Sequence, residues 1–240
     1  MKTVLWICVA ALSFAACGSK EETADSAGSD LGIKSAEERL AANLSMVAEV
    51  KKNIRDGDMI LRTGNDFSSG HIRDISAKDK TYSHGGIAVR EGEDVYIYHI
   101  DTEFGHSNDK VRKEILDSFC NPLKSLGFGH ARYALDSAEN KAFVAYMEKQ
   151  YHNKTPFDLR FDVKTDDSMY CSEMIMKGLR AATNNRVQIE TIRFYGKDKY
   201  KVIKQYLKIP ESDFVGRHFV PVDHLYVHPD CQVLKRYVFE

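Results

Sequence analysis

The stretch Tyr170-Cys171-Ser172-Glu173-Met174 lies where an irregular acidic segment, Lys164-Thr165-Asp166-Asp167-Ser168, passes into an apolar run. Beyond it Met174, Ile175, Gly178, Leu179 and Ala182 recur at the spacing of one helix face, which puts the cysteine in a first helical turn. Unpaired N–H groups and the positive end of the helix dipole favour thiolate over thiol there, and the same groups suit a developing oxyanion. Cys171 is therefore a candidate nucleophile. The base it needs is offered upstream by Tyr82-Ser83-His84-Gly85-Gly86-Ile87, where His84 opens a β-rich run. The competing reading is an inert core cysteine, and the rest of the chain has to separate the two.

The chain has 240 residues, 43% of them hydrophobic, and a net charge of −1. That length suits one core with appendages, and the balanced charge argues against a nucleic-acid partner. At the N-terminus Lys2 precedes an apolar run from Val4 to Leu12, then Ser13-Phe14-Ala15-Ala16-Cys17-Gly18. This reads as a signal peptide over 1–16, too short to span a bilayer as a mature helix. The small residues before Cys17 resemble the lipobox of bacterial lipoproteins, with Phe14 where leucine is usual, which makes Cys17 the lipidated residue. Residues 17–34 are small, polar and acidic and read as a tether between lipid and a domain over 35–240. With Cys8 removed and Cys17 acylated, Cys120, Cys171 and Cys231 remain, an odd number that leaves a free thiol. Cys171 is the one next to helix-start chemistry; whether Cys120 and Cys231 pair is open at this stage.

Two β-rich runs, Ile87-Ala88-Val89 and Val95 to Ile100, flank Arg90-Glu91-Gly92-Glu93-Asp94 and predict a hairpin. With Glu91-Gly92 as a two-residue loop, Arg90 faces Glu93 and His84 falls opposite His99. His99 would then hydrogen-bond one ring nitrogen of His84 while the other faces Cys171.

Elsewhere the patterns are structural. Ser35-Ala36-Glu37-Glu38 and Asp136-Ser137-Ala138-Glu139 have the capping-box form and predict helices over about 36–53, with Leu40, Leu44, Val47 and Ile54 on its face, and to about Tyr151. Met59 to Arg62 predicts a strand, Thr63 to Lys80 a polar loop containing a surface His71, and Gln188 to Ile192 another strand. Asp101 to Gly129 contains Glu103, His106 and Asp109 in a polar loop, then an apolar patch at Ile115-Leu116 and Phe119. Thr155 to Asp162 is a turn-like wall, and Lys197 to Lys208 a basic amphipathic helix with a solvated face. His224 and His228 have the i, i+4 spacing of a zinc pair, but Pro221, Pro229 and the β-branched residues argue against a helix there, so neither metal nor cofactor is expected.

Gly57-Asp58 before a strand, the Tyr82–Ile87 and Tyr170–Met174 stretches and Pro221-Val222-Asp223-His224-Leu225, in that order, resemble the NlpC-type papain-like hydrolases in their circularly permuted, YiiX-like branch. The resemblance spans about residues 57–225 and implies an α+β, papain-like fold with an antiparallel sheet packed against the cysteine helix. It implies Cys171 as nucleophile, His84 as base, and a third polar residue from the next strand, where this chain has His99. Permuted relatives often carry glutamate at that position, so Glu103 stands in reserve. The matching motifs also offer Glu173, Asp158, Tyr82 and Asp58 as substrate-contacting or orienting residues, with Phe157 replacing a usual tyrosine.

The function implied is a cysteine hydrolase that forms an acyl-enzyme and cleaves amide or peptide bonds of cell-wall peptides, anchored by lipid to a membrane of the cell envelope. The alternatives are a lipid acyl ester or amide hydrolase or acyltransferase, and a non-catalytic lipoprotein that binds a ligand in the same groove.

Overall fold

Strand β1 (Met59–Gly64) is hydrogen-bonded on both edges, to β2 (His84–Glu91) and to β5 (Ser125–Tyr133). With β3 (Asp94–His99), β4 (Arg112–Ile115) and β8 (Cys231–Val238) these make a six-stranded sheet in the order β4-β3-β2-β1-β5-β8, antiparallel throughout. A separate ribbon pairs β6 (Ile192–Arg193) with β7 (His218–Phe219). The helices are α1 (Ala36–Lys51), α2 (Phe67–Ile75), α3 (Leu116–Phe119), α4 (Ser137–His152), α5 (Cys171–Ala182) and α6 (Val222–Tyr226). This computed structural model describes residues 34–102, 109–194, 210, 212 and 215–240.

The period of two along a strand sorts side chains onto two faces. Met59 and Leu61 of β1 and Ile87 and Val89 of β2 pack with Phe143 and Met147 of α4 and Met174, Ile175 and Leu179 of α5. The alternate residues Ile60, Ala88 and Ile97 pack on the other face with Val47 and Val50 of α1 and Leu116 and Phe119 of α3. Each of these buried side chains larger than alanine contributes about 1.5–3 kcal/mol. Gly178 lets α5 lie against α4, since a Cβ there would stand 2.5 Å from Met147 Cε and 2.9 Å from Phe143 Cε2.

The α+β class, the sheet and the cysteine helix are as the sequence predicts, and both capping boxes close reciprocally, at Ser35 with Glu38 and at Asp136 with Glu139. Several local expectations differ. The 63–80 segment holds α2, capped by Asp66, whose side chain accepts from the Ser69 N–H; only Ile75 of this helix is buried, so no apolar period announces it. On α1 the buried stripe runs through Asn43, Val47 and Val50, leaving Leu40 and Leu44 exposed. β5 is not expected from the sequence; its Gly127 and Gly129 are close approaches, where a Cβ would lie 2.3 Å from Tyr237 O and 2.4 Å from the Tyr82 hydroxyl. The strand expected over 188–192 is reduced to Ile192-Arg193, and 222–226 is a one-turn helix with Pro221 as N-cap, ahead of the turn, where its missing N–H breaks no helical bond. The basic segment 197–208 lies outside the described residues.

The hairpin register also shifts. Glu91 pairs with Asp94, so the two-residue loop is Gly92-Glu93, with Gly92 at φ 64°, the left-handed geometry such turns require. The predicted register is off by two, an even number that leaves every side chain on its predicted face. His99 therefore stands across from Gly86, and His84 is its diagonal neighbour on that face.

Candidate active site

Cys171 is the first residue of α5, with Tyr170 as N-cap. Its two neighbours grip the same short segment. The Ser172 hydroxyl donates to Val220 O at 2.6 Å, and the Tyr170 hydroxyl accepts from the Val220 N–H at 2.8 Å while its ring stacks on Phe219. The sulfur faces the backbone N–H groups of Ser172 and Gly85, which favour its anion. Burial outweighs them, and together with the Asp101 carboxylate it pushes the thiol up to about 12. Desolvation thus opposes the help that the helix terminus gives the anion.

His84 opens β2 and is 5% exposed; His99 closes β3 and is 1% exposed. His84 Nε2 lies 3.0 Å from His99 Nδ1, and His99 Nε2 lies 3.0 Å from Glu114 Oε2. Both rings pack on Phe119, with the Arg62 guanidinium over the same ring at 5.0 Å. Burial drives His84 well below the ordinary imidazole range, with Asp101 opposing it; burial also lowers His99, against the pull of Glu114. Burial thus pushes the thiol and both imidazoles toward their uncharged forms.

The imidazole pair lies on the face covered by α1 and α3, whereas the body of α5 packs on the other. Gly85 and Gly86 lie at this crossing. A Cβ on Gly85 would point at Leu61 and Ile175, and one on Gly86 at Ile97 and His99. The sheet here carries no side chains, so the sulfur reaches the Gly85 N–H, one peptide from His84. Among the described residues no hydrogen bond joins the sulfur to the His84 ring.

The remaining candidates are placed as follows. Glu173 is fully buried two residues from the cysteine; Oε2 accepts from the Tyr170 N–H at 3.2 Å and Oε1 lies 2.8 Å from Lys177 Nζ. Burial raises its carboxyl to about 8 in spite of Lys177. Asp158 closes its own turn, accepting from the N–H groups of Arg160 and Asp162. Asp58 is fully engaged by Arg132, His130 and the Arg55 N–H and belongs to the β1–β5 junction, away from the sulfur. Tyr82 is buried under Gly129, edge-on to Tyr226 and beneath Arg236. Glu103, His106 and Cys17 lie outside the described residues. His224 Nδ1 bonds Glu190 O and His228 Nδ1 accepts from the Asp230 N–H; among the described residues no group of three His, Cys, Asp or Glu side chains is placed to hold a metal ion. Cys120, Cys171 and Cys231 are all free. A polar groove of about 640 Å³, lined by residues including Lys149, Asp166, Lys177 and Arg180, lies beside the later turns of α5 and does not include Cys171.

Sequence reading misses Glu114. The signal was its place two strands over: Ile97 pairs with Glu114 and His99 with Arg112, so Glu114 is the diagonal neighbour of His99, as His99 is of His84.

The fold is shared with the metalloprotein YiiX from Escherichia coli O157:H7, whose crystal structure matches with a TM-score of 0.61 at 16% identity, over 76% of this chain and 97% of that one. No curated protein matches the sequence significantly. Residues 53–225 match the permuted papain-like amidase enzymes of the YaeF/YiiX, C92 family, a stretch that contains Cys171, His84, His99 and the closing 221–225 motif. The chain belongs to that family of papain-like cysteine amidases.

Proposed function

We propose that this protein is a thiol hydrolase in which Cys171 attacks the carbonyl of an amide or peptide bond of cell-wall peptides. The observation that carries the reading is the sulfur held at a helix start against the N–H of Gly85, with His84 the preceding residue and its Nε2 tied to His99. Because burial disfavours the charged forms of both groups, the Sγ–H proton passes to His84 as the S–C bond forms. First-turn N–H groups receive the oxyanion. Collapse breaks the C–N bond, the imidazolium gives its proton to the leaving amine, and His84 then activates water to release the acid and restore the thiol. Catalytic hydrogen bonds commonly close only in the substrate complex, which is consistent with the open Sγ–imidazole contact.

The test is incubation with peptidoglycan fragments and, in parallel, with acyl lipids, followed by mass spectrometry of products and protein. Cleavage of the peptides and an acyl adduct on Cys171, both lost in Cys171→Ala, are expected. Turnover of acyl lipids alone would replace the substrate class, and binding without turnover would replace the enzyme by a ligand carrier.

The N-terminal reading belongs to the same proposal: cleavage before Cys17, acylation of its new N-terminus, and attachment to an envelope membrane. Metabolic labelling with a tagged fatty acid should mark the protein and fail in Cys17→Ser.

A further inference from the structure

Three strands carry one polar side chain each in a straight diagonal: His84 on β2, His99 on β3 and Glu114 on β4. The contacts between them are both 3.0 Å. We propose that Glu114 is a positioning residue that fixes the tautomers of both histidines, so that the free nitrogen of His84 is Nδ1 and carries a lone pair.

The chain of donors and acceptors follows from one end. Glu114 is ionised, its carboxyl held below the ordinary range by the hydrogen bond from His99, so it only accepts. His99 must then carry its hydrogen on Nε2, and its Nδ1 becomes an acceptor. That acceptor faces His84 Nε2, which must be the protonated nitrogen of a neutral ring. Nδ1 of His84 is left as the basic nitrogen, the state a general base needs. When that nitrogen takes a proton, the imidazolium donates to His99, which is backed by the carboxylate. The third position thus holds an imidazole, yet a carboxylate still terminates the relay. His84 and His99 are also faced by Arg62 from β1, Asp101 beyond β3, Arg112 from β4 and the Phe119 ring from α3; Arg62 donates to the Asp101 carboxylate at 2.6 Å and Arg112 to Asp101 O at 3.1 Å.

The inference rests on His84 as the base, and two readouts keep its failure distinct from the failure of that reading. The first needs no substrate: nitrogen NMR of protein with labelled histidine, in the Cys171→Ala background. Both rings should show protonated Nε2 and bare Nδ1, and Glu114→Leu should abolish this single pattern. An unchanged pattern in Glu114→Leu would overturn the proposal whatever the activity. The second is the pH–rate profile for whichever substrate Cys171 turns over. Glu114→Leu should lower kcat about 10²-fold with little change in KM. Glu114→Gln keeps an acceptor oxygen and removes the charge, so it should retain the nitrogen pattern, recover part of kcat and move the acid limb to lower pH. Equal kcat in all three proteins would show Glu114 to be only a strand residue. Matched denaturation curves guard against a folding defect, which the one-third exposure of the Glu114 side chain makes tolerable.

Discussion

Glu173 sits two residues beyond the sulfur with its carboxyl raised to about 8 by burial. A folded-state value above the unfolded one means that the native protein holds the proton more tightly. The stability this provides is complete below the ordinary carboxyl range and is lost as pH rises through about 8. Glu173→Gln mimics the protonated form, so its melting temperature relative to the parent should climb steadily between pH 5 and pH 9, as scanning calorimetry can follow; a constant difference would show that the Lys177 pair keeps the group ionised. The helix start at Cys171 and the meeting of His84 with His99 were legible because such residues are rare and their local patterns strong. Glu114 was not, because one glutamate among many gains meaning only through strand register. The protonation state was equally hidden: a sequence places a cysteine at a helix start, but desolvation is a property of the packed fold.

The element that decides the site is the β2–β3 hairpin. Its type and loop length were readable from alternation and Gly92, while the register was missed by two because Glu91-Gly92 and Gly92-Glu93 are both plausible loops and only the packing chooses between them. A consequence is that Gly85 and Gly86 should differ sharply. A Cβ on Gly86 would stand 2.4 Å from Ile97 Cγ2 and 3.0 Å from Tyr98 O, whereas one on Gly85 meets nothing closer than 3.4 Å. Gly86→Ala is expected to destabilise by about 1–3 kcal/mol and to displace His99, with activity falling further than stability explains; Gly85→Ala should be milder on both counts. Chemical denaturation and turnover measured side by side would check this, and equal effects would contradict it.

Across the whole molecule, the closing 221–225 motif holds the approach to the histidine strand from far along the chain. Asp223 on α6 is buried, and its Oδ2 accepts from the N–H groups of Ala77, Lys78 and Asp79, while the Tyr226 hydroxyl donates to Asp79 O. Asp223→Ala leaves those three donors unpaired and should cost about 2–4 kcal/mol in urea unfolding, with 77–79 amides exchanging faster by mass spectrometry. That the motif mattered was visible in the sequence; what it does was not, since the partner loop carries no pattern of its own. The same limit hid β5 and β8, whose pairing partners lie about a hundred residues apart.

The upward push of burial on the Cys171 thiol has a consequence outside catalysis. Oxidation by peroxide starts from the thiolate, so a sulfur that keeps its proton until a base removes it is spared between turnovers. Mass spectrometry after peroxide exposure should find Cys171 unoxidised in the resting protein.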